Sequence, residues 1–285
     1  MKNITLTLKM INPKKKVVLL QVNLLPEFKN IKNSKIEILK FINKYKKNYT
    51  FLTPSFTKRF FFRNGKLNYF HKKKECTNGY FANYLINSKL GYRANHSTHS
   101  YYFIGKKARE LSNLSKVSDG PFEILQKIGI ANISFININF KGVPTFHLAE
   151  NKLGYSKNIL SNFLGSYYKN NKNKIIWNKL KFLNGCDKKY DLLTNKYIKK
   201  KIIFLQKFKH SIIYYGELAK IWEMDLIFMR KNKSFFNCNK CFYCKFINAS
   251  KLNIFFNILK NYKIFFSILI NIITKKNGIQ NYHFK

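Results

Sequence analysis

Residues 91–147 have the sequence GYRANHSTHSYYFIGKKARELSNLSKVSDGPFEILQKIGIANISFININFKGVPTFH. Within them, residues 105–147 carry six Lys or Arg against three Asp or Glu, whereas the whole chain carries 54 against 12. Nearly balanced charge combined with regularly spaced apolar residues is typical of the centre of a compact domain. We therefore expect a folded core here, with strongly basic sequence on either side.

The apolar spacing in this stretch predicts two helices and a strand. The hydroxyl side chains of Ser97, Thr98 and Ser100 can cap a helix over Tyr101–Leu114, in which apolar residues recur at helical spacing. A second helix is predicted to begin at Gly120-Pro121, because proline suits the first helical position. The alternation in Ile130–Phe140 predicts a strand, so helix, short turn and strand follow one another as in an α/β layer.

The net charge of +42 over 285 residues indicates a polyanionic partner, with nucleic acid as the leading candidate. Coding drift toward A and T is the alternative explanation, since it enriches lysine without selection for charge, and arginine occurs only five times. Drift does not explain why there are only 12 acidic residues. Hydrophobic residues make up 46% of the chain, so a sizeable core can be buried.

The order of these elements resembles that of the universal small-subunit ribosomal protein eleven family, which lies on the platform of the small ribosomal subunit. The resemblance covers about one third of the chain and includes a hairpin, predicted from Asn64-Gly65 between two aromatic-rich arms. The matching elements are Lys58–Lys72, Gly91-Tyr92-Arg93, His96-Ser97-Thr98, Gly120-Pro121, Ile130–Phe140, and Val143-Pro144 with His147. Two departures are a short stretch between Leu114 and Gly120, where the family has a strand, and a missing asparagine-glycine-cysteine-arginine after the proline-histidine element.

The resemblance implies a divergent mitochondrial member of that family. The implied fold is α/β, a mixed sheet flanked by helices, with a basic N-terminal extension and a largely helical C-terminal one. The implied function is that of a structural constituent of the small ribosomal subunit, without catalytic activity. Ribosomal RNA and neighbouring ribosomal proteins would be its partners, with no membrane and no small-molecule substrate. The predicted domains are a basic extension at 1–50, an α/β RNA-binding core at 51–147, and a lysine-rich helical extension with a cysteine cluster at 148–285.

Basic side chains in the predicted hairpin and around the predicted helix are candidates for contacts with RNA phosphates. Arginine and histidine near the Gly91 turn could also pack on exposed bases. A solvated charged surface is the alternative interpretation. The candidate RNA-binding residues are Lys58, Arg59, Arg63, Lys66, Arg93, His96, Lys106, Lys107 and Arg109.

Three of the five cysteines lie within seven residues, at Cys238, Cys241 and Cys244. The C-x₂-C spacing places two thiolates around one metal ion, and the third cysteine can join them. Zinc is the first candidate, and an iron–sulfur cluster is the alternative because C-x₂-C-x₂-C resembles ferredoxin sequences. The fourth ligand is unknown; the candidates are Cys186, Cys76, His210 and a cysteine of a partner. Idle thiols in a reducing compartment remain the simpler interpretation.

The other histidines and acids do not predict a catalytic site. His96 and His99 have no carboxylate cluster near them in sequence, so contacts with RNA or solvent are favoured, and His147 is expected to cap the last strand. Glu217, Glu223 and Asp225 are expected to form ion pairs within one helix.

The A- and T-driven composition suggests an organelle genome. The start, MKNITLTLKM, resembles neither a secretory signal nor a transit peptide, which predicts an organelle-encoded protein of the mitochondrial matrix, or alternatively of a plastid. An intron-encoded endonuclease or maturase is the alternative function, although the acids offer no metal-binding group. A subunit of a membrane complex bound through residues 252–274 is weaker, because the lysines in that segment would be costly in a bilayer.

Overall fold

The computed structural model describes residues 15–24, 31–57, 60–61, 69–155, 164–170, 172–181, 190–208 and 211–232. The strands are β1 (Val17–Val22), β2 (Thr50–Pro54), β3 (Phe60–Phe61), β4 (Tyr92–Arg93), β5 (Tyr101–Gly105), β6 (Ile133–Ile138), β7 (Leu164–Lys169), β8 (Ile175–Lys179), β9 (Phe204–Phe208) and β10 (Ser211–Glu217). The helices are α1 (Ile31–Tyr45), α2 (Tyr80–Ser88), α3 (Ala108–Asn113), α4 (Glu123–Ile128), α5 (Thr145–Lys152), α6 (Tyr190–Lys199) and α7 (Leu218–Lys231).

The main sheet has seven strands in the order β4-β5-β2-β1-β6-β10-β9. β1 runs parallel to β2 and β6, whereas β5 and β10 are antiparallel to their neighbours in the sheet. This confirms the predicted α/β class with a mixed sheet flanked by helices. The strand at the centre, β1, comes from the part of the sequence that was assigned to a basic N-terminal extension, and β9 and β10 come from beyond His147.

The continuous apolar run of β1 fits its central position, because a parallel strand is covered on both faces. Val17 and Leu19 belong to the core on one face of the sheet, under α3 to α7. Val18 and Leu20 belong to the core on the other face, under α1 and α2. The sheet is therefore a central layer with helices on both sides.

A second sheet of three antiparallel strands, β3-β7-β8, lies against the connection that precedes β5. The link is made by the Asn178 side chain of β8, whose Nδ2 donates to Ser97 Oγ at 3.0 Å and to the Val117 carbonyl at 2.6 Å. This second sheet therefore supports a loop of the first one.

Of the three elements predicted in residues 91–147, the second helix and the strand are present and the first helix is wrong. The second helix is α4, which begins at Glu123 rather than at Pro121, and the strand predicted over Ile130–Phe140 is the shorter β6. The helix predicted over Tyr101–Leu114 is half strand, because Tyr101–Gly105 pairs with β2 and α3 begins only at Ala108. All four residues 101–104 are buried, so they fill both faces of a sheet rather than one side of a helix.

The C-terminal extension, predicted to be largely helical, also contains strands. Helix α6 is followed by β9 and β10, and α7 follows β10. Residues 80–90 contain α2. The Asn64-Gly65 turn and residues 252–274 lie outside the described residues. Among the described helices, none combines the length and apolarity needed to cross a membrane.

Candidate functional site

The carboxyl ends of the parallel strands β2, β1 and β6 meet at one edge of the main sheet. Because Pro54 at the end of β2 pairs with Tyr101 at the start of β5, the loop before β5 lies at the same edge. Backbone bonds continue the pairing beyond the strands, from Ser55 N to the Ser100 carbonyl and from Thr57 N to the Thr98 carbonyl, both 2.9 Å. In open α/β sheets, ligands bind at this carboxyl edge.

His96 is a structural residue of this loop. Its Nδ1 accepts the backbone N–H groups of Thr98 (3.1 Å) and His99 (3.0 Å), so the ring proton lies on Nε2, which donates to the Asp119 carbonyl at 3.0 Å. Burial lowers the pKa of His96 to about 4. The imidazole is therefore neutral at pH 7 and joins two loops.

The second of these loops, which contains Asp119, is stabilised by acidic side chains. Asp119 accepts the Lys116 backbone N–H (2.7 Å) and forms an ion pair with Lys127 (2.7 Å). Glu123 accepts the Gly120 N–H at 2.6 Å, as in a capping box. Between them Phe122 has a φ of 63°, a left-handed conformation that is uncommon for a bulky residue. Backbone strain of this kind is often found at functional sites.

The Phe122 ring lies between two histidines. It stacks on His147, with ring centroids 5.3 Å apart and planes inclined by 14°, and it meets the edge of His99 at 5.2 Å. Phe56, which follows β2, contacts both His99 and Phe122. Four aromatic or imidazole rings from three loops and α5 thus form one cluster at the carboxyl edge, in which Phe56 is partly buried and the other three are buried.

His147 and Glu150 form the part of this cluster that can carry out acid–base chemistry. They lie one turn apart on α5, and His147 Nδ1 is 2.8 Å from Glu150 Oε2, with both side chains buried. A carboxylate at Nδ1 keeps the proton on that nitrogen, so Nε2 is the nitrogen that accepts a proton. This arrangement can act as a carboxylate-oriented general base.

Asp225 of α7 lies behind α5 and is fully buried. The Tyr197 hydroxyl donates to its Oδ1 at 2.5 Å. Burial raises the pKa of Asp225 to about 7, and the charge of His147 acts in the opposite direction. The predicted intrahelical ion pair is wrong for Asp225, whereas Glu217 does pair with Lys220 at 3.6 Å.

The structure places the candidate RNA-binding residues in different environments. Arg93 is buried, donates to the Ser55 carbonyl at 2.6 Å and to the Lys74 carbonyl, and lies over the Phe70 ring. Burial lowers its pKa to about 10. With buried His96, it is part of the interior. The exposed candidates are Lys106, Lys107 and Arg109, and those outside the described residues are Lys58, Arg59, Arg63 and Lys66.

The predicted metal ligands Cys238, Cys241 and Cys244 lie outside the described residues, as do Cys186 and His210. Cys76 is described and buried, and burial raises the pKa of its thiol. Within the described ranges no three His, Cys, Asp or Glu side chains are grouped to hold a metal ion. The cysteine metal site therefore stays a prediction.

Sequence reasoning missed the His147–Glu150 pair. The available signal was the spacing H-x-x-E, which places both side chains on one face of a helix. It was overlooked because His147 was expected to cap a strand, whereas α5 begins at Thr145.

A family model described as aminoglycoside 3-N-acetyltransferase matches residues 46–224, more than half of the chain. The match includes β2 to β10 and both members of the His147–Glu150 pair. No curated protein sequence matches the chain.

Solved structures with a similar fold cover most of the chain. The aminoglycoside acetyltransferase AAC(3)-IVa apoenzyme is 11% identical with a TM-score of 0.67, over 87% of this chain and 96% of that one. The YokD protein from Bacillus subtilis is 16% identical with a TM-score of 0.65, over 82% and 94%. The acetyltransferase AAC(3)-IIb is 12% identical with a TM-score of 0.62, over 81% and 96%. At these identities the likeness establishes the fold.

These findings overturn the ribosomal interpretation. The resemblance to ribosomal protein eleven was wrong, and so were the structural role in the small subunit, the ribosomal partners, the absence of a small-molecule substrate and the expectation that the chain is not an enzyme. The endonuclease or maturase alternative is not supported either. The misleading feature was the order of turns and elements, in which a strand, β5, was taken for the first half of a helix. The chain belongs to the aminoglycoside 3-N-acetyltransferase family.

Proposed function

We propose that this protein is an N-acetyltransferase that moves an acetyl group from acetyl-coenzyme A to an amine of an aminoglycoside-type acceptor, with His147 as the general base. The observation that carries the proposal is the buried contact of 2.8 Å between His147 Nδ1 and Glu150 Oε2, at the carboxyl edge of the sheet. Membership of the acetyltransferase family supports the reaction class.

In this reaction the amine nitrogen attacks the carbonyl carbon of the thioester. The new C–N bond forms as His147 Nε2 accepts the proton of the amine. The C–S bond then breaks as the sulfur takes that proton from the imidazolium, so the thiol is released and His147 returns to its neutral form. Glu150 holds the proton on Nδ1 and stabilises the imidazolium that forms. The atoms balance without a metal ion or a redox partner.

The rings around His147 favour this chemistry. Phe122 stacks on the imidazole and Phe146 lies 4.2 Å from it between ring centroids, so apolar surface covers the base. A water-poor environment strengthens the interaction between the imidazolium and the Glu150 carboxylate, and it protects the thioester from hydrolysis.

The aminoglycosides to test first are those bound in similar structures. Histidine-to-alanine variants of AAC(3)-IVa have been solved in complex with apramycin and with a gentamicin. Both structures share the fold of this chain at 11% and 12% identity, so they support the acceptor class without fixing its identity for this protein.

The test is acetyl transfer by the purified full chain. We expect thiol release from acetyl-coenzyme A that depends on gentamicin or apramycin, together with acetylated product detected by mass spectrometry. His147→Gln should lower kcat by about 10²- to 10⁴-fold, the range for loss of a general base. His71→Gln is the matched control, because His71 is exposed and lies outside the ring cluster. Absence of acetylated product with either acceptor, or a full rate in His147→Gln, would contradict the proposal.

Two further predictions remain as separate proposals. They are the metal site at Cys238, Cys241 and Cys244 and the location in the mitochondrial matrix. Metal analysis of the purified chain and of a variant with all three cysteines changed to serine tests the first of them. Equal zinc and iron content in the two proteins would contradict it.

A further inference from the structure

A small cavity lies between α6, α7 and α5, the helix that carries His147. Its volume is about 10 Å³, close to the space that one water molecule needs. Most of its lining is apolar, but Thr145, Tyr197 and Asp225 also face it. A water molecule stays in such a cavity only where it finds at least two polar partners.

Two buried oxygen atoms on this cavity need such a partner. Thr145 Oγ1 and Asp225 Oδ2 are buried and form no hydrogen bond within the described structure. The other carboxylate oxygen of Asp225 already accepts the Tyr197 hydroxyl. The Thr145 hydroxyl lies near enough to lower the pKa of Asp225, yet the two side chains do not meet in direct hydrogen-bond geometry. Buried polar atoms without partners are rare because they are costly, and an ordered water is a common solution.

We propose that a buried water molecule joins Thr145 Oγ1 to Asp225 Oδ2, and that Asp225 is thereby a positioning residue for the general base His147. The inference rests on the proposed acetyltransferase function for its catalytic part. Its structural part, the bridging water, stands independently of any activity.

The bridge acts through the first turn of α5. Thr145 is the first residue of that helix, and the His147 N–H donates to the Pro144 carbonyl at 3.1 Å, so the three residues share one turn. Helix α7 packs closely on α5. A hydrogen-bonded link from Asp225 to Thr145 therefore fixes the rotation of α5 about its axis, and this rotation sets the direction of the His147 imidazole.

Asp225 also acts on His147 through its charge. The groups that face His147 are Glu150 on its own helix, Asp225 from α7, and His99 across the Phe122 ring. The charge of His147 stabilises ionised Asp225, and by reciprocity the carboxylate stabilises the imidazolium that forms during the reaction. Because the pKa of Asp225 is about 7, its carboxylate is charged mainly above that pH, so Asp225→Asn should lower kcat relative to wild type more at pH 8 than at pH 6.

Thr145→Val and Asp225→Asn test the bridge, with Thr145→Ser as the conservative variant that keeps the hydroxyl. Thr194→Val is the matched control, because Thr194 faces the same cavity but its hydroxyl donates to the Lys141 carbonyl at 3.0 Å. We expect Thr145→Val and Asp225→Asn to lower kcat about tenfold with an unchanged acceptor KM, as for a misplaced catalytic group. Thr145→Ser and Thr194→Val should stay within about twofold of wild type.

A high-resolution crystal structure of the full chain tests the structural part. We expect density for one water within hydrogen-bond distance of both oxygens in the wild type, and in Thr145→Val its loss together with a longer contact between His147 and Glu150. A dry cavity, a direct bond from Thr145 to Asp225, or equal effects of Thr145→Val and Thr194→Val would overturn the inference. An inactive wild type that contains the water and shows the Thr145→Val displacement would overturn the proposed function, and with it the catalytic part of the inference, and would leave the structural part, the bridging water, supported.

Discussion

Three buried histidines at the carboxyl edge have three different environments. His96 uses both ring nitrogens for backbone groups and joins two loops. The Nδ1 atom of His99 contacts the Thr98 hydroxyl at 2.9 Å, and its ring packs on Phe56 and Phe122. His147 has a carboxylate on Nδ1. The three histidines differ in the group that contacts Nδ1. In His96 and His99 this group is a backbone N–H or a hydroxyl, and in His147 it is a carboxylate.

At the residue scale, part of the site could therefore be predicted from the sequence. Glu150 is three residues from His147, so a helix assumed at 145–152 is sufficient to predict the pair. The burial of His96 was not predictable in this way, because its partner is the carbonyl of Asp119, 23 residues away. The burial of Arg93 was not predictable either, because the carbonyls that accept its hydrogen bonds belong to Ser55 and Lys74, which are distant in sequence. Arg93 was therefore predicted to contact RNA.

Asp225 gives a stability prediction with a definite sign. Its pKa is about 7 in the folded chain against an ordinary value of 3.8, so the folded state binds a proton that the unfolded state loses. This contribution to stability is complete below about pH 3.8 and is lost as the pH rises through about 7. Asp225→Asn keeps an oxygen for the Tyr197 hydroxyl and lacks this loss. The free energy of unfolding of Asp225→Asn, relative to wild type, should therefore increase from pH 5 to pH 8, as measured by urea denaturation.

Comparing the two proteins at each pH removes the contribution of His96. Its lowered pKa, about 4, gives the opposite trend, because stability from a histidine buried in the neutral form is lost as the pH falls below 6.5. Glu223→Gln is the control, since Glu223 is an exposed carboxyl on the same helix. A difference between Asp225→Asn and wild type that does not change with pH would contradict the prediction.

At the scale of elements, the local sequence was sufficient to predict the structure where a turn marks the boundary between two elements. The helix after Gly120-Pro121 ends before Gly129, whose φ is 87°, and β6 follows after one short turn. Local signals failed where pairing partners are distant. Tyr101–Gly105 and Ser211–Glu217 have residues compatible with either helix or strand, and they are strands because β2 and β6 offer them unpaired edges.

The junction between β5 and α3 provides a prediction at this scale. Gly105 has a φ of +124°, and a Cβ atom there would lie 2.1 Å from the Tyr49 carbonyl oxygen, which is backbone and cannot move aside. Gly105→Ala should therefore lower the free energy of unfolding by about 3 kcal/mol or more. Gly79→Ala is the matched control, because its φ is +88° but no atom lies within 4 Å of the added Cβ.

For Gly79→Ala we expect a loss of about 1–2 kcal/mol, which is the cost of placing alanine at a φ of +88° and a ψ of −172°, a conformation nearly restricted to glycine. Urea denaturation of both variants and wild type measures the two values. The difference between the variants isolates the steric contact with Tyr49 from the backbone conformation. Equal losses would show that the loop before β2 shifts to accept the methyl group.

At the scale of the whole molecule, the net charge of +42 led to the wrong partner. Net charge is a property of the surface and predicts what a protein attracts or repels, whereas the reaction depends on a few buried side chains. Asp119, in the loop before α4, forms an ion pair with Lys127, and Glu123, the first residue of α4, pairs with Lys127 and Lys181. The excess of 54 basic over 12 acidic residues gives the chain a positive field that any cationic acceptor must approach.

Aminoglycosides carry several protonated amines at neutral pH, so this field should weaken their binding to the chain. Added salt shortens the screening length from about 10 Å at 0.1 M to about 3 Å at 1 M. The KM for gentamicin should therefore fall as NaCl is raised from about 0.05 to 0.5 M, with kcat unchanged, because repulsion acts on approach and not on the His147 step. Initial rates of thiol release at each salt concentration measure both constants, and a monoamine acceptor, which is repelled less, should show a smaller change. A KM that rises with salt would show that the acceptor meets a locally negative surface, and that the approach to His147 is electrostatically separate from the rest of this basic chain.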